Sequence, residues 1–392
     1  MSGSRLYIDY NATTPVDPEV LAVMSAVARD NFGNPSSSHC FGRSAATLVQ
    51  QARQQVARLL QAEADEIYFT SGGTESDNLA LKGVVLPLLL RGKKPHLIVS
   101  AVEHPAVLET CLFLEQAGAA VTRLPVAVDG TLKPSQVTSA IRDETVLVSL
   151  MLANNETGVI FPVKEISAIT RNAGILLHTD AVQALGKLKI DVSELGVDLL
   201  SLSGHKVYAP KGVGALWVRD GIELEPLLHG GGQESGLRSG TENPVGIAAL
   251  GCACELLHER MGDEGHRIRR LRDRLESELD AALDQQVVFH GHRQFRVPNT
   301  ISLSVPFVDG EALLAHLDLE DIAVSAGSAC SSGEHQGSPV LLAMGVNSEL
   351  AQGSVRISLG RWTSAAEIDT FLEKFTAIVR RLWAISPLYK NR

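Results

Sequence analysis

Short apolar runs alternate with helical patterns between residues 66 and 218, and this alternation most limits how the chain can fold. Seven runs of four to seven residues have strand character, and the stretches between them carry helical patterning or turn signals. The runs are residues 67–70, 97–100, 121–126, 146–152, 175–179, 198–202 and 213–218. Strands that alternate with helices form βαβ units and a largely parallel sheet. We predict an α/β fold with a seven-stranded, mainly parallel sheet, in which the last run is an antiparallel addition.

The sequence changes character after Asn243. A long helical stretch precedes a charge-rich amphipathic segment at residues 263–283, and short strands and a final helix follow. With 392 residues, the chain is long enough for more than one domain. We predict a large domain at residues 15–260 and a smaller α+β domain formed by residues 1–14 and 261–392.

Composition excludes several classes of function. The chain has 35 basic and 45 acidic residues, a net charge of -10, so direct binding to nucleic acid is not expected. No apolar stretch is long enough to cross a membrane, and residues 1–9 do not resemble a secretory signal. Five scattered cysteines indicate reduced thiols, so we expect a cytoplasmic protein.

A glycine pair follows the first apolar run, in Ser71-Gly72-Gly73-Thr74. Gly73 lets the backbone approach a ligand closely, and the start of the next helix presents free N–H groups to an anion. The segment therefore fits a phosphate site that includes Gly73 and Thr74. The alternative is an ordinary helix start capped by Thr74.

Asp180 and Lys206 end or follow neighbouring strand runs, so both side chains are expected in one crevice at the carboxyl edge of the sheet. A lysine amine that bonds an aldehyde and a carboxylate that keeps a pyridine nitrogen protonated are what pyridoxal 5′-phosphate requires. The alternative for Lys206 is a solvated surface lysine.

Two more polar groups follow strand runs. His104 is placed to stack on a ring or to act as an acid or base, although a lone histidine is more often structural. Asn155 offers an amide to a cofactor, with a simple turn as its alternative.

Cys330 and Arg356 are the candidate reactive groups beyond the sheet. Cys330 lies in a small, polar loop at about residues 325–340, where thiols react rather than pack. Arg356 lies inside an apolar strand, so it needs a carboxylate partner, either from a substrate or from an internal ion pair.

Together these segments resemble the cysteine desulfurases, pyridoxal-phosphate enzymes of fold type I in the class V aminotransferase group, and specifically their iron-sulfur-cluster branch. The matching segments run in order over nearly the whole chain. They are residues 7–15, 32–36, 69–78, 103–104, 154–158, 180–183, 203–206, 229–234, 238–241, 327–330 and 355–360. After Cys330 the loop departs from the branch's usual pattern, which leaves recognition of the sulfur acceptor open.

The resemblance implies a role for each site residue. Lys206 would bond the cofactor, Asp180 would pair with its ring nitrogen, and His104 would stack on the ring. Further cofactor contacts are implied for Asn155, Gln183, Gly73, Thr74, Ser203, His205 and, across a homodimer interface, Thr241 of the partner subunit. The substrate would be bound by Asn34, Asn155 and Arg356.

The implied reaction converts L-cysteine to L-alanine, and Cys330 takes the sulfur as a persulfide for an acceptor such as an iron-sulfur scaffold protein. No resident metal is expected. Nothing in the sequence fixes a cluster-ligand role for Cys330, although a loop thiol that carries a persulfide can bind iron transiently. The alternatives are a selenocysteine lyase or a cysteine or cystine C–S lyase on the same fold, neither of which needs Cys330. A non-catalytic scaffold partner in sulfur transfer is a third alternative.

Overall fold

The computed structural model describes residues 5–326 and 337–390, and within these ranges the chain forms an α/β structure. Its strands are β1 (Leu6–Tyr7), β2 (Ile67–Thr70), β3 (His96–Ser100), β4 (Ala120–Leu124), β5 (Thr145–Ser149), β6 (Leu176–Asp180), β7 (Leu199–Ser203), β8 (Gly214–Val218), β9 (Val288–His290), β10 (Thr300–Ser304), β11 (Ile322–Ala323), β12 (Ser325–Ala326) and β13 (Ser354–Ser358). Its α-helices are α1 (Pro18–Asp30), α2 (Cys40–Leu60), α3 (Gly73–Leu90), α4 (Pro105–Gln116), α5 (Pro134–Ala140), α6 (Val163–Ala173), α7 (Val192–Leu195), α8 (Pro244–Ala282), α9 (Gly310–Asp318), α10 (Pro339–Ala343), α11 (Ser348–Gln352), α12 (Ala365–Ile385) and α13 (Pro387–Lys390). None of the helices in the described part of the chain combines the length and the apolar character needed to cross a membrane.

The central sheet has seven strands in the order β2–β8–β7–β6–β5–β3–β4. Strands β4, β3, β5, β6 and β7 pair in parallel, whereas β8 is antiparallel to both of its neighbours. The predicted fold class is therefore confirmed, including the antiparallel addition.

Both faces of the central sheet are covered. Along β3, Ile98 packs in one buried apolar cluster, while Leu97 and Val99 pack in another on the opposite face. This follows from the alternation of side chains along a strand. Apolar packing thus covers both faces of the sheet, and the carboxyl edge stays open for a site.

A second sheet, in the order β12–β13–β10–β9, belongs to a separate apolar cluster with α9 and α12. Leu6 and Ile8 from the start of the chain pack in that cluster, and β1 pairs in parallel with β11. The 39 residues of α8 run without interruption across residue 260. The predicted domain boundaries stay a prediction, and the helix that crosses them is a feature the sequence pattern did not indicate.

Candidate active site

A cavity of about 400 Å³ opens at the carboxyl ends of the parallel strands. One side, which we call the strand-end wall, consists of residues that follow strands of the central sheet. They are Glu103, His104, Asp180, Ser203, His205 and Lys206. A second group of lining residues, which we call the long-range wall, combines the N-terminal segment with the start of α10 and one residue of the second sheet. Its members are Asn11, Ala12, Pro339, Val340 and Arg356.

Asp180 and Lys206 meet in this cavity because β6 and β7 are neighbours, with Asp180 opposite Ser201. Asp180 accepts a hydrogen bond from the Val182 N–H at 2.9 Å. Burial raises the pKa of its carboxyl, and interactions with His104, the Val182 N–H and Lys206 oppose that rise. The Nζ of Lys206 donates to the carbonyl of Asn11 at 2.6 Å and to that of Ala12 at 2.8 Å.

Two further buried carboxyls lie beside Asp180, and sequence reasoning gave neither a role in the site. Burial, followed by the charge of Asp180, raises the pKa of Asp77 well above its ordinary value, and its Oδ1 has no hydrogen-bond partner. Burial raises the pKa of Glu103 to about 8, although its carboxylate accepts from Ser100 at 2.6 Å. Three buried carboxyls favour a cationic group in the cavity. The signal available in the sequence was their position: near the start of α3 for Asp77 and shortly after β3 for Glu103.

His104 caps the N-terminus of α4, where its Nδ1 accepts the Ala106 N–H at 3.1 Å. Since that nitrogen accepts, the neutral ring carries its proton on Nε2. Burial lowers the pKa of His104, so the neutral form is favoured. The side chain lines the cavity and can stack on a ring or exchange a proton there.

The start of α3 forms the predicted anion cradle. Gly72 has a φ of 153°, and a Cβ at Gly73 would lie 2.8 Å from Cγ2 of Val182, so both positions require glycine. Gly73, Thr74, Ser203 and His205 all line the cavity. Burial lowers the pKa of His205 to about 4, so its ring is neutral. Hydroxyls, a neutral imidazole and the unpaired first N–H groups of the helix suit a phosphate.

The guanidinium of Arg238, beside the start of α3, is engaged in an ion pair. Arg238 binds the carboxylate of Glu75 at 2.7 Å. Glu75 also accepts the Ser71 N–H at 3.0 Å. Because of this ion pair, Glu75 does not present an unpaired carboxylate to an anion in the cradle.

Arg356 is 4% exposed, and the structure shows the internal ion pair that was one of the two alternatives for it, while binding of a substrate carboxylate stays a prediction. It forms an internal ion pair with Asp9 at 2.9 Å and donates to the carbonyl of Asn155 at 3.2 Å. It also lines the cavity, and its Nε has no hydrogen-bond partner. The guanidinium is therefore fixed by Asp9 at the border of the cavity.

Asn11 connects the two walls, and sequence reasoning gave it no role. Its Nδ2 donates to Thr300 Oγ1 at 2.8 Å and to the Asn155 carbonyl at 3.1 Å, while its Oδ1 accepts from Asn299 at 3.0 Å. Its own carbonyl accepts from Gln183 Nε2 at 2.8 Å and from Lys206. The only sequence signal was its place in the matching segment of residues 7–15.

Two predicted site residues are not brought into the described cavity. Asn34 is exposed and its Oδ1 caps a local turn by accepting the Ser36 N–H at 2.9 Å. Thr241 is also exposed, as a residue directed to a partner subunit would be. Cys330 lies outside the described residues. Nearby described residues belong to the site: Ser325 donates to Asp9 at 2.7 Å, and Pro339 lines the cavity.

The residues present fit pyridoxal 5′-phosphate. The cradle at Gly73 that a Cβ would fill suits the phosphate, and the buried carboxyl cluster, with its unpaired oxygen, suits a protonated ring nitrogen. Lys206 and His104 line the space between these two ends.

Comparison with known proteins agrees with this assignment. The model of the family described as "Aminotransferase class-V" matches residues 6–371. A cysteine desulfurase IscS from Dictyoglomus turgidum is 47% identical over 387 residues, covering 99% of this chain and 97% of the relative. The IscS of Methanosarcina thermophila is 46% identical over 384 residues, covering 98% and 94%. A solved NifS-like protein is 38% identical, with a TM-score of 0.90, and the match covers 96% of this chain and all of that one (100%).

Proposed function

Because the chain belongs to the class-V aminotransferase family, with cysteine desulfurases as full-length relatives, we propose that it transfers sulfur from L-cysteine to Cys330 and releases L-alanine. The family depends on pyridoxal 5′-phosphate, as the sequence led us to expect. The observation that carries the proposal is the convergence of Lys206, Asp180 and His104 on one cavity that ends in a phosphate cradle.

The cofactor would be held at both ends by this chain's residues. Gly73, Thr74, Ser203 and His205 would bind its phosphate, and Asp180 would bind its ring nitrogen. When bound, pyridoxal 5′-phosphate supplies an electron-accepting ring that makes the α-proton of an amino acid acidic. Asn155 and Gln183 would contact the ring from the cavity wall.

The protein's own groups then orient the substrate and move protons. Arg356, already fixed by Asp9, would bind the substrate carboxylate, and Asn34 would complete that contact. Lys206 as a neutral amine would take the α-proton. His104, with its proton on Nε2, would donate to or accept from the reacting groups.

Sulfur transfer would be completed by Cys330. Its thiolate attacks the substrate sulfur, an S–S bond forms, and the carbon–sulfur bond breaks. The electron pair of the broken bond stays on the β-carbon, which takes up a proton. The α-carbon regains the proton that Lys206 took, and alanine is complete. The persulfide on Cys330 then passes its terminal sulfur to an acceptor protein, such as an iron-sulfur scaffold.

The proposal extends to assembly and location. We infer a homodimer in which Thr241 of the partner subunit reaches the phosphate, and a cytoplasmic location. Exposed Thr241 and the absence of a membrane-crossing helix from the described ranges agree with these two inferences.

The test is to incubate the purified protein with L-cysteine and a reductant and to quantify alanine and pyruvate. We expect one alanine for each sulfide released, and we expect this turnover to be lost in Cys330→Ala. Cys111→Ala is the matched control, because that thiol is fully buried. Pyruvate, or turnover indifferent to Cys330, would overturn the proposal in favour of a C–S lyase.

A further inference from the structure

Lys187 is a partly buried lysine whose partners are neutral oxygens. Its Nζ donates to the backbone carbonyl of Gln183 at 3.0 Å and to Oε1 of the same residue at 2.7 Å. Among the described residues, no carboxylate forms an ion pair with it. A lysine that is withdrawn from water without a counter-charge is costly, so these two contacts call for an explanation.

The contacts continue from Lys187 to Lys206. Gln183 Nε2 donates to the Asn11 carbonyl at 2.8 Å, and the same carbonyl accepts from Lys206 at 2.6 Å. An ammonium only donates and a carbonyl only accepts. The amide atom of Gln183 that accepts from Lys187 must therefore be the oxygen, and the atom that donates to the Asn11 carbonyl must be the nitrogen. The second N–H of this nitrogen stays available to a ligand in the cavity.

Lys187 reaches this position from behind the site. It does not line the main cavity, whereas Gln183 does. Lys187 and Lys206 both border a second, small cavity of about 30 Å³, which Glu264 also lines. Gly186, with a φ of 74°, makes the turn that allows this approach, and a Cβ there would lie 3.0 Å from Leu257.

We propose that Lys187 is a positioning residue that holds the side-chain amide of Gln183 with its N–H edge toward the cofactor. The inference rests on the proposed function, because it takes the cofactor as the ligand of Gln183. Burial and the charges of Lys206 and Arg356 lower the pKa of Lys187 to about 7. A neutral amine keeps two N–H bonds, which match its two acceptors, so the positioning survives loss of the proton.

The test follows the visible absorbance of the cofactor-loaded protein during a pH titration. In Lys187→Met the N–H edge of Gln183 is no longer held toward the cofactor, so this donor disfavours a positive charge at Lys206 less than in the wild type. We therefore expect the midpoint of the titration to rise by about half to one pH unit. Lys189→Met is the matched control, since that lysine is exposed two positions further on. An unchanged midpoint in Lys187→Met would overturn the inference.

A double-mutant cycle with Gln183→Ala tests the route through Gln183. If Lys187 acts through that amide, Lys187→Met combined with Gln183→Ala shifts the midpoint no further than Gln183→Ala alone. Full addition of the two shifts would contradict the inference. If Lys187→Met does not retain the cofactor, Lys187→Gln replaces it in the same cycle with the same criterion. A wild-type protein without the cofactor band would instead contradict the proposed function, and the inference with it.

Discussion

The strand-end wall and the long-range wall of the cavity are assembled in different ways. Residues of the first follow neighbouring strands of one sheet, so the sheet itself brings them together. In the second, Asn11 binds partners that lie 144, 288 and 289 residues away in sequence. Lys206 and His104, which are proposed to move protons, lie on the wall that the sheet fixes. Arg356, which is proposed to orient the substrate, depends on contacts between the two ends of the chain.

Lys206 is the residue on the strand-end wall whose loss should cost most. We expect Lys206→Ala to lower alanine formation by about 10²–10⁴-fold or more, because the proposed base is removed. The variant also loses hydrogen bonds to two backbone carbonyls, so we expect a drop of about 1–3 kcal/mol in the free energy of unfolding beside the loss of activity. Lys211→Ala, at an exposed position, is the control. If Lys206→Ala kept more than a tenth of the wild-type activity, the strand-end wall would not supply the essential base.

Arg356 should affect stability and substrate binding together. Arg356→Ala leaves the Asp9 carboxylate without its cation, and we expect a loss of about 3–5 kcal/mol in the free energy of unfolding and a higher KM for cysteine. Asp9→Asn breaks the same ion pair but keeps the guanidinium, so it should destabilise with a smaller rise in KM. Equal KM values in both variants would assign Arg356 to structure alone.

Glu156 should make stability depend on pH near the long-range wall. Burial raises its pKa to about 7 from an ordinary value of 4.5, and it accepts a hydrogen bond from Ser338. Between these values the unfolded chain binds fewer protons, so stability falls as pH rises from 4.5 to 7. Glu156→Gln cannot ionise, so its advantage over wild type should grow across this window to at most about 3 kcal/mol. Urea unfolding at several pH values measures this difference, and a constant gap would refute the assigned cause.

Asn11 gives the smallest expected effect. Asn11→Ala leaves the buried amide of Asn299 without one acceptor, and we expect about 1–3 kcal/mol less stability. Asn78→Ala is the matched control, since that side chain donates only to Thr74 within its own helix. Unfolding midpoints compare the two variants, and equal losses would mean that the contacts of Asn11 with Asn299 and Thr300 contribute little.

The same contrast explains what the sequence could predict. All seven strands of the central sheet were predicted within three residues at each end, because short buried strands have a strong local pattern. Asp180, Lys206 and His104 could be placed at one edge because the carboxyl ends of parallel strands meet there. The strand-end wall therefore follows from local pattern and one topological rule.

The rest of the site depends on contacts that no local pattern records. The partner of Arg356 is Asp9, 347 residues earlier, and periodicity could not distinguish it from a substrate carboxylate. Asp77 looked like an ordinary acidic residue of a helix's first turn, and only the tertiary structure buries it beside Asp180. The domain boundaries and the roles of the site residues remain predictions.

Helix α8 contributes residues to both apolar cores of the molecule. Its first part, at Ile247 and Leu250, packs in a cluster with the central sheet, and its later part, at Leu275 and Leu279, packs with the second sheet. Hinging at residue 260 would break consecutive helical hydrogen bonds, so the two cores are expected to move as one body. The distance between the strand-end wall and Arg356 would then be fixed before a substrate binds. Substrate binding would need little reorganisation of the two cores.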